Sequence, residues 1–481
     1  MTDNSLDRLF YPKNIAILYA SNRFQFFIKG LISKNFNLDN LYLITSKRDE
    51  LLGLKCFKTI DDAPIDELDL VIIAVRKDEL VEKLKEILSK KRIHFFHIFT
   101  AGMGETGEAG EEIEREIKEL PDINSKRTRV LGPNCMGVYC PSGHVSYGAD
   151  FPNEAGPIGL IYQSGDLHTK TIRFGVSRHG LLFSKGASVG NCLDLQISEF
   201  LEYLNNDPET KLISVYLEGF TKLHPREGQK LFNVLKSMRK PVLFMKGGRT
   251  FRSQIAAKTH TGVMASDQRI WKAVYNQTPT IEVPPSLDDM LDYIYLFHHL
   301  IKTRSNKDFY PKGKNVLLIL WSGGFGIIAA DIIIESGLNL PYFEGETLER
   351  LHKVFPLKVG SLNNPLDLPW MVYTKEYRKI VKAAVTEDID LVIIVSDSWR
   401  NIEDDEFKWY YNNILDIKEH IEKLNKILIL TLPEYPSDNR QNFYKNLMKD
   451  NFIVYPSVKR ATQAFLALYN YGKKRNKIIM S

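Results

Sequence analysis

Short runs of β-branched and other apolar residues alternate with longer amphipathic stretches from one end of this chain to the other, and no other feature constrains its fold as strongly. A helix between two strands returns the chain to run in the same direction, so repeated strand–helix units build a parallel sheet covered on both faces. In the first third the pattern predicts strands at Ile15 to Leu18, Leu41 to Ile44, Leu70 to Val75, Phe95 to Phe99 and Arg129 to Leu131, with helices such as Lys77 to Leu88 and Glu111 to Leu120 between them. A Pro/Gly-rich passage, Cys140 to Gly143 and Asn153 to Pro157, interrupts both periodicities and marks a boundary. The alternation resumes at Ile158 to Tyr162, Leu181 to Ser184, Leu212 to Leu217 and Val242 to Met245, and the helix Leu287 to Ile301 leads into a polar linker, Lys302 to Asp308. A third set follows at Asn315 to Leu320, Leu391 to Val395, Ile427 to Leu432 and Phe452 to Tyr455. The expected architecture is α/β, with three consecutive Rossmann- or flavodoxin-like parallel-sheet domains over residues 1–150, 151–305 and 306–481.

The 481 residues suffice for three cores, and 44% hydrophobic with 26% charged residues is a folded composition. A net charge of +5 over this length is too weak to imply nucleic acid. The N-terminal segment lacks a basic and an apolar region, and no uncharged apolar run approaches the ~18 residues of a spanning helix. These features predict a cytoplasmic protein with no membrane or nucleic-acid partner. Cys56, Cys135, Cys140 and Cys192 have neither the number of a disulfide framework nor the spacing of a zinc site, so they are expected as buried thiols and no metal is expected.

Three short segments carry candidate chemistry. Lys258-Thr259-His260-Thr261-Gly262 reads as a polar, glycine-containing loop between the apolar run Val242 to Met245 and a helical pattern opening at Ser266-Asp267. An imidazole presented there is largely unprotonated near neutral pH and can act as a nucleophile toward phosphorus; alone, the same loop reads first as a solvated histidine. Gln163-Ser164-Gly165-Asp166 follows the strand Ile158 to Tyr162 and opens a helix, an arrangement that offers backbone N–H groups and a positive helix end to phosphate. Many such turns merely cap a helix. Tyr216-Leu217-Glu218-Gly219 ends a strand, where Glu218 can orient a neighbouring imidazole or form a surface ion pair. Gly186 to Asn191 reads as another glycine-bearing turn, with Asp194 behind it.

Taken in order, Gly132-Pro133-Asn134-Cys135-Met136-Gly137, Gln163-Ser164-Gly165, Gly190-Asn191, Tyr216-Leu217-Glu218-Gly219, Lys246-Gly247-Gly248-Arg249-Thr250 and His260-Thr261-Gly262 resemble the NDP-forming acyl-CoA synthetases, relatives of succinyl-CoA synthetase. Ser322-Gly323-Gly324-Phe325-Gly326 and Asn364-Pro365-Leu366-Asp367 extend the resemblance over nearly the whole chain. It implies an α subunit with a CoA-binding domain, a ligase domain carrying a phosphohistidine, and a further ligase-like domain. The implied reaction interconverts acyl-CoA, phosphate and ADP with a small carboxylic acid, acetate or another, CoA and ATP, through an acyl phosphate. His260 would carry the phosphoryl group, Glu218 would orient it, and Gln163, Ser164 and Gly165 would hold phosphate. ADP or ATP with Mg2+ would bind mainly on an ATP-grasp β subunit, making the assembly a hetero-oligomer.

The CoA region departs from that pattern. The turn after the first strand is Tyr19-Ala20-Ser21-Asn22-Arg23 where glycine is usual, Thr45-Ser46-Lys47 replaces Asn-Pro, and Val75-Arg76 replaces Val-Pro. Ser21, Arg23, Lys47, Val75, Arg76 and Asn134 are the candidate CoA contacts, the cations replacing backbone contacts with charge. Asp166 also stands where a small residue is usual, and its charge would compete with phosphate unless turned away. The alternative is a catalytically weak CoA-sensing or scaffold protein on the same fold. A nicotinamide-dependent dehydrogenase lacks support because no G-x-G-x-x-G follows the first strand.

Overall fold

A computed structural model describes residues 5–18, 24–261, 267–304, 309–355, 360–369, 371–396, 405–434 and 438–480, with backbone alone at 258–261, 373, 406 and 478–480. Two compact units divide the chain, Met1–Ile294 and Tyr295–Ser481. The first unit contains two sheets and the second contains one.

The first sheet is built from β1 (Ile15–Leu18), β2 (Leu41–Ile44), β3 (Glu50–Leu51), β4 (Leu54–Phe57), β5 (Glu67–Ile73), β6 (Arg92–Ile98) and β7 (Arg129–Leu131), in the order β3-β4-β2-β1-β5-β6-β7. Leaving aside β3, every pairing is parallel, and the order is that of a Rossmann sheet. β5 and β6 bury all but their first residues because helices cover both faces, hence their near-continuous apolar sequence. The β3–β4 hairpin is absent from the expected elements. Its two-residue turn places both Leu52 (φ 55°) and Gly53 (φ 78°) in the left-handed region. Leucine is not a residue that announces such a turn.

The second sheet comprises β8 (Gly137–Tyr139), β9 (Ile158–Tyr162), β10 (Phe183–Ser188), β11 (Leu212–Leu217), β12 (Val242–Lys246) and β13 (Ile281–Glu282), in the order β13-β12-β11-β9-β10-β8. β9 through β13 are parallel in flavodoxin order, and β8 is an antiparallel edge strand on β10. The chain thus enters the second sheet ahead of residue 151. Gly186, Ala187 and Ser188, expected as a turn, are strand residues paired with β8 and β9, so the turn begins only at Val189. The two sheets are joined by Arg129, whose guanidinium meets Asp194 at 2.8 and 3.1 Å while Val130 N–H donates to the same carboxylate at 2.8 Å.

The third sheet, in the second unit, has β14 (Val316–Leu320), β15 (Leu366–Asp367), β16 (Leu391–Val395), β17 (Ile427–Thr431) and β18 (Ile453–Tyr455), ordered β15-β14-β16-β17-β18 and wholly parallel. Its core packs β14, β16 and β17 against Tyr377, Ile380, Ile414 and Phe443 of the flanking helices. Among the described residues no helix is long and apolar enough to cross a membrane.

Candidate active site

In an open α/β sheet the crevice lies beyond the carboxyl ends of the strands where the order reverses, between β1 and β5 in the first sheet and between β9 and β11 in the second. A cavity of about 970 Å³ in the first unit draws on both sheets: Lys47, Val75, Arg76, Lys77 and Asn134 line one side, and Gln163, Ser164, Gly165 and Asp166 the other. The candidate CoA contacts after β2 and β5 and the candidate phosphate loop after β9 therefore open onto one space. Ser21 and Arg23 lie outside the described residues.

Local bonds sort these residues by what they are free to do. Val75 is held in place, its N–H donating to Thr100 Oγ1 at 3.2 Å and its carbonyl accepting from the same hydroxyl at 2.8 Å. Arg76 pairs with Asp78 at 2.6 Å, which offsets part of the charge it presents. Arg76 immediately precedes the helix Lys77–Leu88 and supplies no side-chain cap, leaving that helix start to a ligand or water. Asn134 sits at φ 57°, where its short amide tolerates the left-handed backbone.

Ser164 caps the helix Gly165–His179, accepting from Leu167 N–H at 3.3 Å. Asp166 pairs with Lys170 at 2.7 Å on the exposed surface, so its carboxylate is turned away from the helix start. The space above Gly165 is filled by Met136, whose Cγ lies 2.5 Å from where a Cβ would stand. Glycine is needed there for packing as much as for any ligand. Gln163 is buried, and its amide grips the end of β11: Oε1 accepts from Glu218 N–H at 2.5 Å and Gly219 N–H at 3.1 Å, and Nε2 donates to Gly219 O at 3.0 Å. Its side chain works on the protein backbone.

Glu218 is 5% exposed and is held from further directions. Burial raises the Tyr216 pKa, and the nearby Glu218 carboxylate, which its hydroxyl faces, raises it further. Lys246, at the end of β12, donates from Nζ to Glu218 O at 2.6 Å and to Gly247 O. The two motifs containing Tyr216 and Lys246 are visible in the sequence, but only the adjacency of β11 and β12 reveals that Lys246 lies against Glu218.

His260 falls in a helix, Phe251–Thr261, where the sequence suggested a loop. Thr250 and Ser253 start it by reciprocal bonds: Ser253 N–H donates to Thr250 Oγ1 at 3.2 Å, and Thr250 N–H donates to Ser253 Oγ at 2.9 Å. Gln254, Ala256, Ala257 and Lys258 then supply good helix formers. The His260 side chain lies outside the described residues. Ala257, three residues earlier, is buried beside Gly248: a Cβ on Gly248 would stand 3.6 Å from Ala257 Cβ, 3.6 Å from Glu218 O and 3.7 Å from Lys246 Nζ. Asp267 caps the next helix, Gln268–Gln277, as its sequence suggested.

The four cysteines are buried free thiols, of which Cys192 accepts from Gln163 Nε2 at 3.6 Å and Cys135 lines the cavity, and among the described residues no group of three or more His, Cys, Asp or Glu could hold a metal. Residues 30–141 match the CoA binding domain family, and residues 155–297 match the succinyl-CoA ligase like flavodoxin domain. The acetate–CoA ligase (ADP-forming) II subunit alpha of Pyrococcus furiosus is 30% identical over 96% of this chain and 96% of its own length. The chain belongs to the ADP-forming acetate–CoA ligase family. Against the Methanocaldococcus jannaschii acetate–CoA ligase (ADP-forming), identity is 32% over 76% of this chain, which spans only 49% of that longer relative. Among solved structures, the dinucleotide forming acetyl-coenzyme A synthetase 1 of Ca. Korarchaeum cryptofilum, in complex with phosphate and ADP, superposes with a TM-score of 0.80 at 26% identity, covering 99% of both chains. The family fits the three mostly parallel sheets.

Proposed function

We propose that this chain is the α subunit of an ADP-forming acyl-CoA synthetase, working on acetate or another small carboxylic acid, with domains over residues 1–150, 151–305 and 306–481, the second taking its edge strand β8 from within the first span. The observation that carries the reading is the single cavity onto which the segments after β2, β5 and β9 open, beside a Glu218 fixed by Gln163 and Lys246 and facing Tyr216. Lys47 and the helix start at Lys77 suit the phosphates of CoA, a substrate whose thiol attacks or leaves the acyl group. His260 takes the phosphoryl group from the acyl phosphate: a nitrogen–phosphorus bond forms, the bond to the carboxylate oxygen breaks, and the acid leaves. Glu218 orients the imidazole and stabilises its positive charge as it forms.

The nucleotide, ADP or ATP with Mg2+, is assigned to an ATP-grasp β subunit. Support comes from relatives of matching length being named subunits alpha, whereas the relative whose name carries no subunit designation is about one and a half times as long. A cytoplasmic location follows from the same reading.

Acetyl phosphate labelled with 32P should transfer an acid-labile, base-stable phosphate to the chain, and His260→Asn should abolish the labelling. Undiminished label in His260→Asn would assign the carrier elsewhere. Label without any CoA binding by calorimetry would favour a phosphoryl-carrying scaffold over a ligase.

A further inference from the structure

Lys246 is an unusual residue for a strand end. Only 5% exposed, it keeps its ammonium against two carbonyl oxygens, Glu218 O and Gly247 O, with the Trp271 ring centroid 5.8 Å away. Among the described residues none of its hydrogen bonds goes to a carboxylate. Burying a cation on carbonyls alone is costly, and a Leu or Met would fill the same slot without that cost. The charge therefore needs a reason outside packing. Gly248 supplies its location: the Lys246 ammonium, the Glu218 carbonyl and Ala257 of the His260 helix converge within 3.7 Å of one point.

We infer that Lys246 is a positioning residue for phosphoryl transfer, offsetting the charge of Glu218 and fixing its backbone so that a doubly negative phosphoryl group can approach beside that carboxylate. This rests on the reading of His260 and Glu218 above. A phosphoryl dianion next to an uncompensated buried carboxylate is repelled, and in a low-dielectric site that repulsion is large. With Lys246 protonated, the pair is neutral. The neutral amine can still donate to both carbonyls, so loss of its proton removes charge while keeping geometry.

That separation makes the role visible in a pH profile. Burial lowers the Lys246 pKa to about 8, opposed by Glu218 and assisted by Arg249. The groups facing it are Tyr216 from β11 and Glu218 just after it, Arg249 from the segment after β12, and the uncharged Trp271 ring from the helix Gln268–Gln277; Tyr216 titrates at higher pH. An arginine stays charged through this range, and a glutamine donates hydrogen bonds without charge.

The test is the single-turnover rate of His260 phosphorylation by acetyl phosphate between pH 6.5 and 9.5, in the wild type, Lys246→Arg and Lys246→Gln, with His260→Asn as the blank. The wild-type rate should fall above pH 8. Lys246→Arg should push that alkaline fall to higher pH, and Lys246→Gln should be at least about tenfold slower at pH 7 with no alkaline fall. A wild type labelled on His260 with no fall near pH 8, or a Lys246→Gln rate equal to wild type, overturns the inference while leaving the His260 reading intact. Absence of label on His260 in the wild type overturns both.

Discussion

Gln163 shows how one buried amide sets the geometry of the candidate site. Its three bonds to the Glu218–Gly219 backbone tie the end of β9 to the end of β11. Gln163→Leu would leave two buried N–H groups and a carbonyl without partners, each costing about 1–3 kcal/mol. We expect denaturant melts to show a loss of about 2–4 kcal/mol, allowing for partial relaxation, together with slower His260 labelling. A loss below ~0.5 kcal/mol would mean that water replaces the amide at no cost. The sequence motif identified this residue, and its apparent role there was to meet phosphate. The amide's actual partners sit on a strand reached through two intervening helices, and pairing of that range leaves no local trace. Lys47 and Asn134 were legible for the opposite reason, since their positions follow from where a strand ends.

At the scale of elements, the compact apolar runs were legible to the residue, the seven-residue strands β5 and β6 were found with bounds three residues off at their starts, and the two-residue edge strands were not legible at all. β1, β2, β7, β9, β11 and β16 have the bounds their apolar runs suggest, because β-branched residues buried on both faces admit no other pattern. β13 and β15, two residues each, offer no periodicity to detect. The helix Phe251–Thr261 was hidden by its own exposure: Phe251 and Ile255 face outward, and Ala257 is its buried anchor among the described side chains. With little apolar surface to hold it, this helix depends on its first turn. Thr250→Ala should cost about 1 kcal/mol of local stability, and amide hydrogen exchange over residues 254–261 should speed up about fivefold while the melting temperature stays unchanged. Unaltered exchange at those amides would show the helix opening only with the whole first unit.

On the scale of the whole molecule, the three-sheet plan was readable because a repeated strand–helix unit has few ways to fold, whereas the placement of β8 on the second sheet was not, since an antiparallel edge strand obeys no such repetition. Within these apolar interiors burial lowers the pKa of four histidines most, two in each unit: His97 and His168 are fully buried, and His298 and His299 are half-buried. Burial lowers His97 and His168 to about 4 and about 3, and His298 and His299 to about 4 each. A histidine whose folded pKa lies below its unfolded value binds fewer protons folded than unfolded between the two, so stability is full above pH 6.5 and falls as pH drops toward 4. At about 1.4 kcal/mol per pKa unit, each contributes a loss of roughly 3 kcal/mol by pH 4. Buried Glu114 and Glu227 act the other way, because burial raises their carboxyl pKa values and favours the folded state as they protonate. Two carboxyls oppose four imidazoles, and the imidazoles prevail. The melting temperature should therefore decline steadily from pH 6.5 to 4, ahead of the range in which exposed carboxylates titrate. His97→Gln keeps a donor toward the Cys135 carbonyl, which His97 Nε2 meets at 3.1 Å, but binds no proton. Melting the first unit in this variant should give a shallower decline over the same interval; a slope equal to wild type would mean that His97 is protonated in the folded protein and that the acid sensitivity arises elsewhere.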